Sequence, residues 1–320
     1  MKADVAIVIV SYNSAGQIGA CLESVFAQRE GVSQQVIVVD NHSRDNTVEL
    51  IRCGFPKVEL ILPGANLGFA AGVNFGAGYA NSEFVLLLNP DTVILKHAVD
   101  VIVDFARKNP GHGLYGGRTL KPNGSLEPSS CWGKPTLWSL AMFALGLTTL
   151  APKNRWLDPE SLGDWQRDSV REVGVVTGCF LLVPKAIWEE LGGMDERYFM
   201  YGEDVDFATR ARRAGYRPLI CPDAELIHEV GQSSETPVHK TLLLYRGKAS
   251  LVRTHWNGPA KWLGLFFLAA GTGLRAALSS LGAWFRRDDD GADRWQALWR
   301  ERGIWLQGYA TETNKPIING

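Results

Sequence analysis

Hydrophobic runs alternate with amphipathic segments along the first hundred residues. Val5–Val10 and Val36–Val39 are continuous apolar runs, which is typical of strands buried on both faces of a parallel sheet. Val58–Leu62 and residues 84–88 repeat the pattern. Stretches with helical periodicity separate the runs near residues 14–28, 45–53 and 71–80. This alternation predicts a doubly wound α/β sheet, whose ligands lie at the carboxyl ends of the strands.

Polar side chains follow several of these runs directly. Ser11 and Asp40 end the first two runs, and Asp91 follows the run at 84–88 within Asn89-Pro90-Asp91. We therefore expect all three to gather at one edge of the sheet. A carboxylate placed where a buried strand meets water can hold a divalent metal against a phosphate-bearing ligand. A second acidic group near Asp204 and a later histidine, His228, suggest group transfer from a nucleotide donor.

Composition narrows the class of protein. The 320 residues are 46% hydrophobic and carry a formal net charge of −1, which argues against nucleic-acid binding by the whole protein. The five cysteines are odd in number, widely spaced and free of CxxC, so they indicate neither a disulfide framework nor a zinc site. The strand-like Val5–Val10 follows the first four residues without a signal-peptide core, so we expect the catalytic part to stay on the cytoplasmic side.

Seven motifs occur in the order seen in a known family: VIVSYNSAGQIGACLESV, VIVVDNHSRDNT, NLGFAAGVNFG, LLLNPDT, VTGCFLLVPK, MDERYFMYGEDVDFATRARRAGYRP and the downstream His228. Together they resemble glycosyltransferase family two in its bacterial rhamnosyltransferase-like branch, over about residues 4–256. The resemblance implies a GT-A fold, a nucleotide-sugar donor, a divalent metal and inversion at the anomeric carbon. It implies a glycosyltransferase domain at 1–256, with a Rossmann-like nucleotide-sugar half at about 1–115 and an acceptor half at 116–256. A helical, membrane-facing extension would follow at 257–320.

The resemblance also implies the residues that bind the donor. They are Ser11, Tyr12, Asn13, Asp40, Asn66, Gly68, Asn74 and Asn89. The alternative for Asp40 is an ordinary strand-to-helix turn, in which Asp or Ser caps a helix. Residues 66–74 equally fit a plain turn and an N-capped helix.

The same resemblance places the metal at Asp91. Asn89-Pro90-Asp91 offers one carboxylate where the familiar family motif has two, so Asp91 would be the principal anionic ligand to Mg²⁺ or Mn²⁺. His228 lies where the family can supply a further ligand, which would favour Mn²⁺. The alternative is that His228 is a structural histidine.

Asp204, with Glu203 beside it, is the predicted general base. An inverting transfer needs one carboxylate to take the proton of the acceptor hydroxyl. Acceptor contacts are expected from Thr177, Gly178, Tyr201 and Gly202. The alternative is that these acids simply open a helix and complement its dipole. That dipole would keep Asp204 ionised, so a strong base would require compensating burial.

The C-terminal third has an unusual charge pattern. From Thr236 to Arg287 there are eight Lys or Arg residues and no Asp or Glu. The apolar segment Trp262–Leu274 is thirteen residues long, which is short for a membrane span of about twenty residues. We therefore expect a basic helix in the headgroup plane of an anionic membrane, with a buried face formed by Trp262, Leu265, Phe266 and Phe267. The uncharged residues 136–151 could also contact lipid, and the alternative for both segments is protein core or a homodimer face.

These observations predict a peripheral glycosyltransferase on the cytoplasmic face of the inner membrane. Its expected donor is a dTDP- or UDP-sugar, with dTDP-rhamnose favoured, and its expected acceptor is a lipid-linked saccharide of cell-surface polysaccharide synthesis. A sugar nucleotidyltransferase and a non-catalytic membrane scaffold are the alternatives. The Ser11–Gly19 turn has no Lys or Arg for a phosphate loop, which weighs against the first, and the presence of Asp91 and Asp204 weighs against the second.

Overall fold

The structure is a computed structural model that describes residues 2–28, 31–95, 97–228, 237–285 and 290–309, with the backbone alone at 281–285 and 290–293. Its contacts define two compact units. The first comprises Met1–Trp132, Trp165–Glu196 and Asp204–Ser234, and the second comprises Gly133–Asp164, Arg197–Glu203 and Glu235–Gly320. The contacts thus group residues 133–164 with the C-terminal helices. The domain boundary at residue 256 stays a prediction.

Strands and helices alternate in the order that the sequence predicts. The strands are β1 (Ala3–Ser11), β2 (Gln34–Asp40), β3 (Glu59–Ile61), β4 (Ser82–Leu88), β5 (Thr92–Ile94), β6 (Tyr115–Leu120), β7 (Cys131–Trp132), β8 (Arg171–Glu172), β9 (Val175–Val176), β10 (Phe180–Pro184) and β11 (Leu219–His228). The helices are α1 (Ile18–Phe26), α2 (Thr47–Gly54), α3 (Phe69–Gly78), α4 (Ala98–Lys108), α5 (Leu137–Ala144), α6 (Leu147–Leu150), α7 (Lys185–Glu190), α8 (Glu203–Arg213), α9 (Pro237–His255), α10 (Gly258–Phe285), α11 (Asp290–Arg300) and α12 (Arg302–Trp305).

A mixed sheet forms the centre of the first unit. Its strand order among the described residues is β3-β2-β1-β4-β10-β6-β11-β5, and β8 pairs with β11. The strands β1 to β4 are mutually parallel, whereas β10 runs antiparallel to β4 and β6. The predicted doubly wound α/β sheet is therefore confirmed, with a parallel half built from the first hundred residues.

Helices cover both faces of this sheet. On one face α1 and α4 pack against alternate residues of β1, such as Ile7 and Ile9. On the other face α3 lies very close to the strands, because an added Cβ at Gly76 would stand 2.7 Å from Val8 Cγ1. This close packing directs the N-terminus of α3 toward the edge at which β1 and β2 end.

The register of the strands places the polar residues. Ser11 is the partner of Asp40 across β1 and β2, and Ile9 is the partner of Leu88 across β1 and β4. Asp91 follows β4 after a short turn. The last residue of β11, His228, is the partner of Thr92 in β5. The expected gathering of Ser11, Asp40 and Asp91 at the carboxyl edge is thus confirmed.

The second unit is helical. Its core joins α5, α9, α10, α11 and α12 through buried residues that include Leu140, Tyr245, Ala249, Leu268, Leu298 and Trp305. At Gly247 the helix α9 approaches the main chain closely, since an added Cβ would lie 2.1 Å from the carbonyl oxygen of Tyr201. Only a glycine permits this contact between α9 and the turn at residues 201–202.

The helix α10 corrects two expectations. It has 28 residues, and its stretch Gly258–Ser280 is long and apolar enough by length and composition to cross a membrane, so the expectation of a segment too short to span is wrong. One third of the most apolar window is buried within the protein. Leu265 is only 7% exposed and Phe267 packs against the core, so these two residues do not share the outward face of Trp262 and Phe266.

Candidate active site

Asp91 and His228 meet at the carboxyl edge of the sheet. Nε2 of His228 lies 3.3 Å from Oδ1 of Asp91, and both side chains are largely buried. Within the described residues, Oδ1 of Asp91 and Nδ1 of His228 have no hydrogen-bond partner. Two buried polar atoms without partners indicate an environment completed by a bound group.

This pair supplies a carboxylate oxygen and an imidazole nitrogen. Across the described part of the chain, no group of three or more His, Cys, Asp or Glu side chains is arranged to hold a metal ion. A divalent cation at Asp91 would therefore need further oxygen ligands from a substrate or from water. Such an open donor set fits a metal that is shared between the protein and a phosphate-bearing ligand.

Asp204 lies in the first turn of the helix α8, and the pKa of its carboxyl is raised. Burial raises the pKa of its carboxyl to about 6, although hydrogen bonds from the backbone of Val205, Asp204 and Gly178 act in the opposite direction. Oδ1 accepts a hydrogen bond of 2.8 Å from the N–H of Val205. The burial needed to offset the helix dipole is thus present in the structure.

The neighbouring acids differ from Asp204 in their surroundings. Asp206 is 1% exposed and accepts a hydrogen bond of 2.7 Å from Nε of Arg210. The same guanidinium donates to the carbonyl oxygens of Leu191 and Gly193. Asp206 and Arg210 therefore fasten α8 to the turn at 191–193. Glu203 belongs to the second unit, where its side chain is buried.

Asp40 is buried and accepts hydrogen bonds from two hydroxyl groups and one backbone N–H. It is 2% exposed, and its carboxylate accepts hydrogen bonds from Ser11 Oγ at 3.1 Å and from Ser43 at 2.6 Å and 2.9 Å. A carboxylate has about four acceptor positions, so roughly one remains for a ligand. The turn described as the alternative is present, and donor binding by Asp40 stays a prediction.

Other predicted donor-binding residues form the turns around this edge. Asn13 adopts a positive φ of 50° and bonds both Ser43 and the N–H of Arg44. Tyr12 is 41% exposed. Asn66 is exposed and accepts a hydrogen bond of 2.9 Å from the N–H of Gly68, the N-cap residue of α3, which has a φ of 79°.

The two remaining predicted donor-binding residues, Asn89 and Asn74, make hydrogen bonds with the main chain of other segments. The N–H of Asn89 donates to the carbonyl oxygen of Cys179 at 3.2 Å. The amide of Asn74 bonds both the N–H and the carbonyl oxygen of Met194 and also reaches Glu196. Asn74 is thus engaged with the segment 193–196, and its predicted role at the donor stays a prediction.

The predicted acceptor residues fall in both units. In the first unit Thr177 and Gly178 are buried, and Oγ1 of Thr177 lies 2.9 Å from Sγ of Cys179. Burial and the nearby charges of Asp91 and Asp204 raise the pKa of Cys179 to about 12. Both carboxylates therefore lie near the same neutral thiol. In the second unit Tyr201 and Gly202 form a turn with φ values of 65° and 105°.

Known proteins give an independent comparison. Residues 6–153 match the family described as "Glycosyl transferase family 2". The "N-acetylglucosaminyl-diphospho-decaprenol L-rhamnosyltransferase" of Mycobacterium tuberculosis is 32% identical over 278 residues, which cover 80% of this chain and 87% of that protein. The chain belongs to glycosyl transferase family 2. The "Rhamnosyltransferase WbbL" of Escherichia coli K12 is 28% identical over 70% of this chain and 83% of its own length.

Solved structures support the fold of this glycosyltransferase. The mannosyltransferase PcManGT from Pyrobaculum calidifontis, in complex with GDP-Man and Mn²⁺, has a TM-score of 0.58 and 17% identity. The match covers 96% of this chain and 88% of that one. The Staphylococcus aureus TarS fragment 1–349 has a TM-score of 0.52 and 16% identity, covering 95% and 81%. The GT-A prediction and the rhamnosyltransferase-like resemblance are confirmed.

Three residues of this glycosyltransferase escaped the sequence analysis. Ser43 follows Asp40 by three residues, a spacing found in Asx-type turns. Arg210 follows Asp206 by four residues, which is the spacing of an ion pair on a helix. Both signals were available. Asn41 is 3% exposed and donates to the carbonyl oxygen of Gly68 at 2.9 Å. It links the end of β2 to α3, a long-range contact that spacing does not indicate.

Proposed function

We propose that the protein is an inverting, metal-dependent glycosyltransferase that moves L-rhamnose from dTDP-rhamnose to a lipid-linked saccharide. The similarity to the mycobacterial L-rhamnosyltransferase over 87% of that protein carries the proposal. Its name specifies an N-acetylglucosaminyl-diphospho-decaprenol acceptor, which is a lipid-linked sugar. The relatives favour neither a nucleotidyltransferase nor a scaffold.

Asp204 is the proposed base. In a single displacement the acceptor hydroxyl forms a bond to the anomeric carbon while the bond to the diphosphate breaks, and the hydroxyl proton passes to one carboxylate. A pKa raised to about 6 keeps Asp204 ionised at neutral pH and makes it a stronger base than an exposed aspartate. No second carboxylate is needed as a nucleophile. Glu203, the residue before Asp204, stays a predicted catalytic residue.

Asp91 and His228 are the proposed ligands of a divalent cation. Their unpartnered buried atoms fit this role, and an imidazole beside a carboxylate suits Mn²⁺ better than Mg²⁺. The related fold of the mannosyltransferase contains Mn²⁺, which supports the proposal by analogy. When bound, the cation would neutralise charge on the departing diphosphate.

The donor is proposed to occupy the edge formed by β1, β2 and α3. The residues assigned to it are Ser11, Tyr12, Asn13, Asp40, Asn66, Gly68, Asn74 and Asn89. The hydrogen bonds of Asp40 and Asn74 suggest that these two act mainly by fixing the pocket wall. Thr177, Gly178, Tyr201 and Gly202 are assigned to the acceptor.

The second unit is proposed to bind an anionic membrane on the cytoplasmic face. Exposed apolar side chains recur along α10 at helical spacing, at Trp262, Phe266, Leu274 and Leu278. Leu145 and Leu150, near α5 and α6, are 63% and 79% exposed, and Leu274 lies beside Gly146. We name these six residues the apolar strip. Burial of several such side chains in lipid contributes about 1.5–3 kcal/mol each when complete.

The basic residues contribute less than their number suggests. Arg246, Arg253 and Arg275 each donate hydrogen bonds to main-chain carbonyl oxygens within the second unit. Arg286 and Arg287 lie outside the described residues. Lys261, beside the strip, remains well placed for a lipid phosphate. The expected membrane binding therefore depends mainly on the apolar strip, and high salt should release the protein only partly.

A panel of nucleotide sugars tests the proposed reaction. Thermal stabilisation and metal-dependent hydrolysis should be greatest with dTDP-rhamnose, and excess chelator should abolish both effects. The anomeric configuration of the product should be opposite to that of the donor. Preference for another sugar would overturn the donor assignment alone, whereas a retained configuration would overturn the single displacement.

A further inference from the structure

Asp91 lies in a four-residue turn whose ends are tied together by a side chain. The turn runs from Asn89, which follows β4, to Thr92, which begins β5. Oγ1 of Thr92 donates a hydrogen bond of 2.6 Å to the carbonyl oxygen of Asn89. Thr92 is 1% exposed, so this bond is shielded from water. Between these ends Pro90 restricts its own φ to about −65°. The hydroxyl of Thr92 therefore closes the turn that carries Asp91.

The first residue of the turn is held through both of its main-chain polar groups. The N–H of Asn89 donates to the carbonyl oxygen of Cys179 at 3.2 Å. The carbonyl oxygen of Asn89 accepts a second hydrogen bond, from Sγ of Cys21 in α1 at 3.5 Å. A thiol is a weak donor, so the hydroxyl of Thr92 is the stronger of the two partners of this oxygen. The turn thus starts from an anchored residue.

Thr92 is also joined to the other proposed metal ligand. It is the partner of His228 in the antiparallel pair formed by β5 and β11. The main chain of Thr92 therefore lies beside the residue that offers an imidazole nitrogen, while its side chain closes the turn that offers a carboxylate. Because Asp91 directly precedes Thr92 in the chain, a change in this turn would alter how the carboxylate is presented beside the imidazole.

We propose that Thr92 is a positioning residue for Asp91, which its hydroxyl holds in the orientation that binds a divalent cation beside His228. The inference rests on the proposed metal site. A carboxylate that is already oriented loses less conformational freedom when the cation binds, so the affinity is higher. Thr92 is buried and its hydroxyl donates to Asn89, so it acts through Asp91 and not on the substrate.

Thr92→Val and Thr92→Ser separate the hydroxyl from the size of the side chain. Valine has nearly the shape of threonine without the donor, whereas serine keeps the hydroxyl. The Mn²⁺ affinity of Thr92→Val should fall about tenfold, the lower end for residues that orient a metal ligand. Thr92→Ser should keep an affinity close to that of wild type. The signal of free Mn²⁺ in electron paramagnetic resonance, with Mn²⁺ alone and with dTDP added, measures binding without turnover. At saturating Mn²⁺, kcat of Thr92→Val should return close to the wild-type value.

Thr272→Val is the matched control. Thr272 is fully buried in α10 of the second unit, and its Oγ1 donates at 2.8 Å to the carbonyl oxygen of Ala269, three residues earlier. The two valine variants therefore lose the same kind of buried hydrogen bond. Thermal unfolding without metal compares their losses of stability. Only Thr92→Val should also lose Mn²⁺ affinity.

The possible outcomes separate the positioning role from the metal site. A wild-type Mn²⁺ affinity in Thr92→Val, or an equal loss in Thr92→Ser, would overturn the positioning role alone. Cys21→Ala removes only the weaker donor to the same carbonyl oxygen and should cause a smaller loss. Should Thr92→Val fail to fold, a wild-type affinity in Cys21→Ala would overturn the proposal in its place. Wild type that binds no Mn²⁺, like Asp91→Ala, would overturn the metal site and the inference with it.

Discussion

Nε2 of His228 lies 3.3 Å from Oδ1 of Asp91 because strand pairing brings the two residues together. His228 ends β11 opposite Thr92, which is the residue after Asp91. Residues far apart in the sequence are therefore joined by a register that a few backbone hydrogen bonds define. The approach of the two strand ends depends on the sheet and hence should survive single side-chain changes.

Asp91→Ala should abolish transfer and weaken donor binding without unfolding the protein. The reason is that the substitution removes the contact of Oδ1 with Nε2 of His228 at 3.3 Å, but no hydrogen bond of Oδ1 within the described residues. Thermal unfolding with and without dTDP-rhamnose and Mn²⁺ measures both effects. Asp223→Ala, at an exposed position of β11, is the control and should behave like wild type. Undiminished transfer by Asp91→Ala would contradict the metal assignment.

His228→Gln should change the metal preference more than the maximal rate. Glutamine offers an oxygen in place of the imidazole nitrogen, which reduces the advantage of Mn²⁺ over Mg²⁺. Titration of activity with each cation, at saturating donor, gives the two apparent affinities. We expect the Mn²⁺ affinity to fall about tenfold and the Mg²⁺ affinity to change less. If both affinities remain as in wild type, His228 is not a ligand.

Asp204→Asn should lose several orders of magnitude in kcat while keeping donor affinity, because a base acts mainly in the transition state. In the wild-type enzyme, kcat should fall as the pH drops through about 6, since the carboxyl is then protonated. Initial rates between pH 5 and 8 measure this limb. Equal losses of donor affinity and turnover in the variant would instead indicate a donor-site residue.

The stability of the fold should depend on the protonation of Asp204 in the direction opposite to that of kcat. Its pKa is raised by burial above the ordinary value, so the folded state binds the proton more tightly and loses this contribution as pH rises through about 6. The free energy of unfolding of Asp204→Asn, minus that of wild type, should therefore be larger at pH 7 than at pH 4. Denaturant titration of both proteins at the two pH values gives the comparison. A constant difference would argue against the raised pKa.

Arg210→Met should destabilise the first unit by roughly 3 kcal/mol, the lower end for breaking a buried ion pair, because Arg210 is partly solvated. The variant removes the Arg210 donor to Asp206 and the donors to Leu191 and Gly193. Chemical denaturation measures the loss. Arg52→Met, at an exposed position of α2, should cost less than about 0.5 kcal/mol. Similar losses in the two variants would count against the described role of Arg210.

Membrane binding should be tested by surface changes. Truncation after Asn257 would remove Leu265, Leu268, Leu298 and Trp305, which form a core with α9, so a shortened chain would expose that core.

Phe266→Asp with Leu278→Asp should instead release the protein from anionic vesicles and leave activity on a water-soluble acceptor unchanged. Co-sedimentation at low and high salt is the measurement. Leu62→Asp, at a 46% exposed position in the first unit, is the control. Monomeric wild type remaining in the supernatant would exclude lipid binding, and concentration-dependent self-association would indicate a homodimer.

Local patterns predicted the fold and placed the candidate site residues at strand ends, because such patterns depend on neighbours in the sequence. Apolar runs and turn residues gave β1, β2 and β4 with their polar ends, and resemblance of the motifs gave Asp91 and Asp204. The structure adds contacts between distant segments. Asn74 meets Met194, and Phe69 meets Gly178, through packing that no periodicity encodes. The inward orientation of Leu265 and Phe267 likewise follows from the partners of α10, which composition leaves unspecified.

The guanidinium of Arg275 is directed into the second unit. It donates to Phe143, Thr148 and Thr149 and lies 4.0 Å over the Phe143 ring, while burial lowers its pKa. The one basic residue that interrupts the apolar sequence between Trp262 and Phe285 therefore has its hydrogen-bonding capacity directed inward. Residues 262–278 of α10 therefore present an apolar surface to their surroundings that is about 24 Å long, at 1.5 Å per residue. Counting Arg275 as a surface charge consequently understates the hydrophobicity of the outer face of this helix.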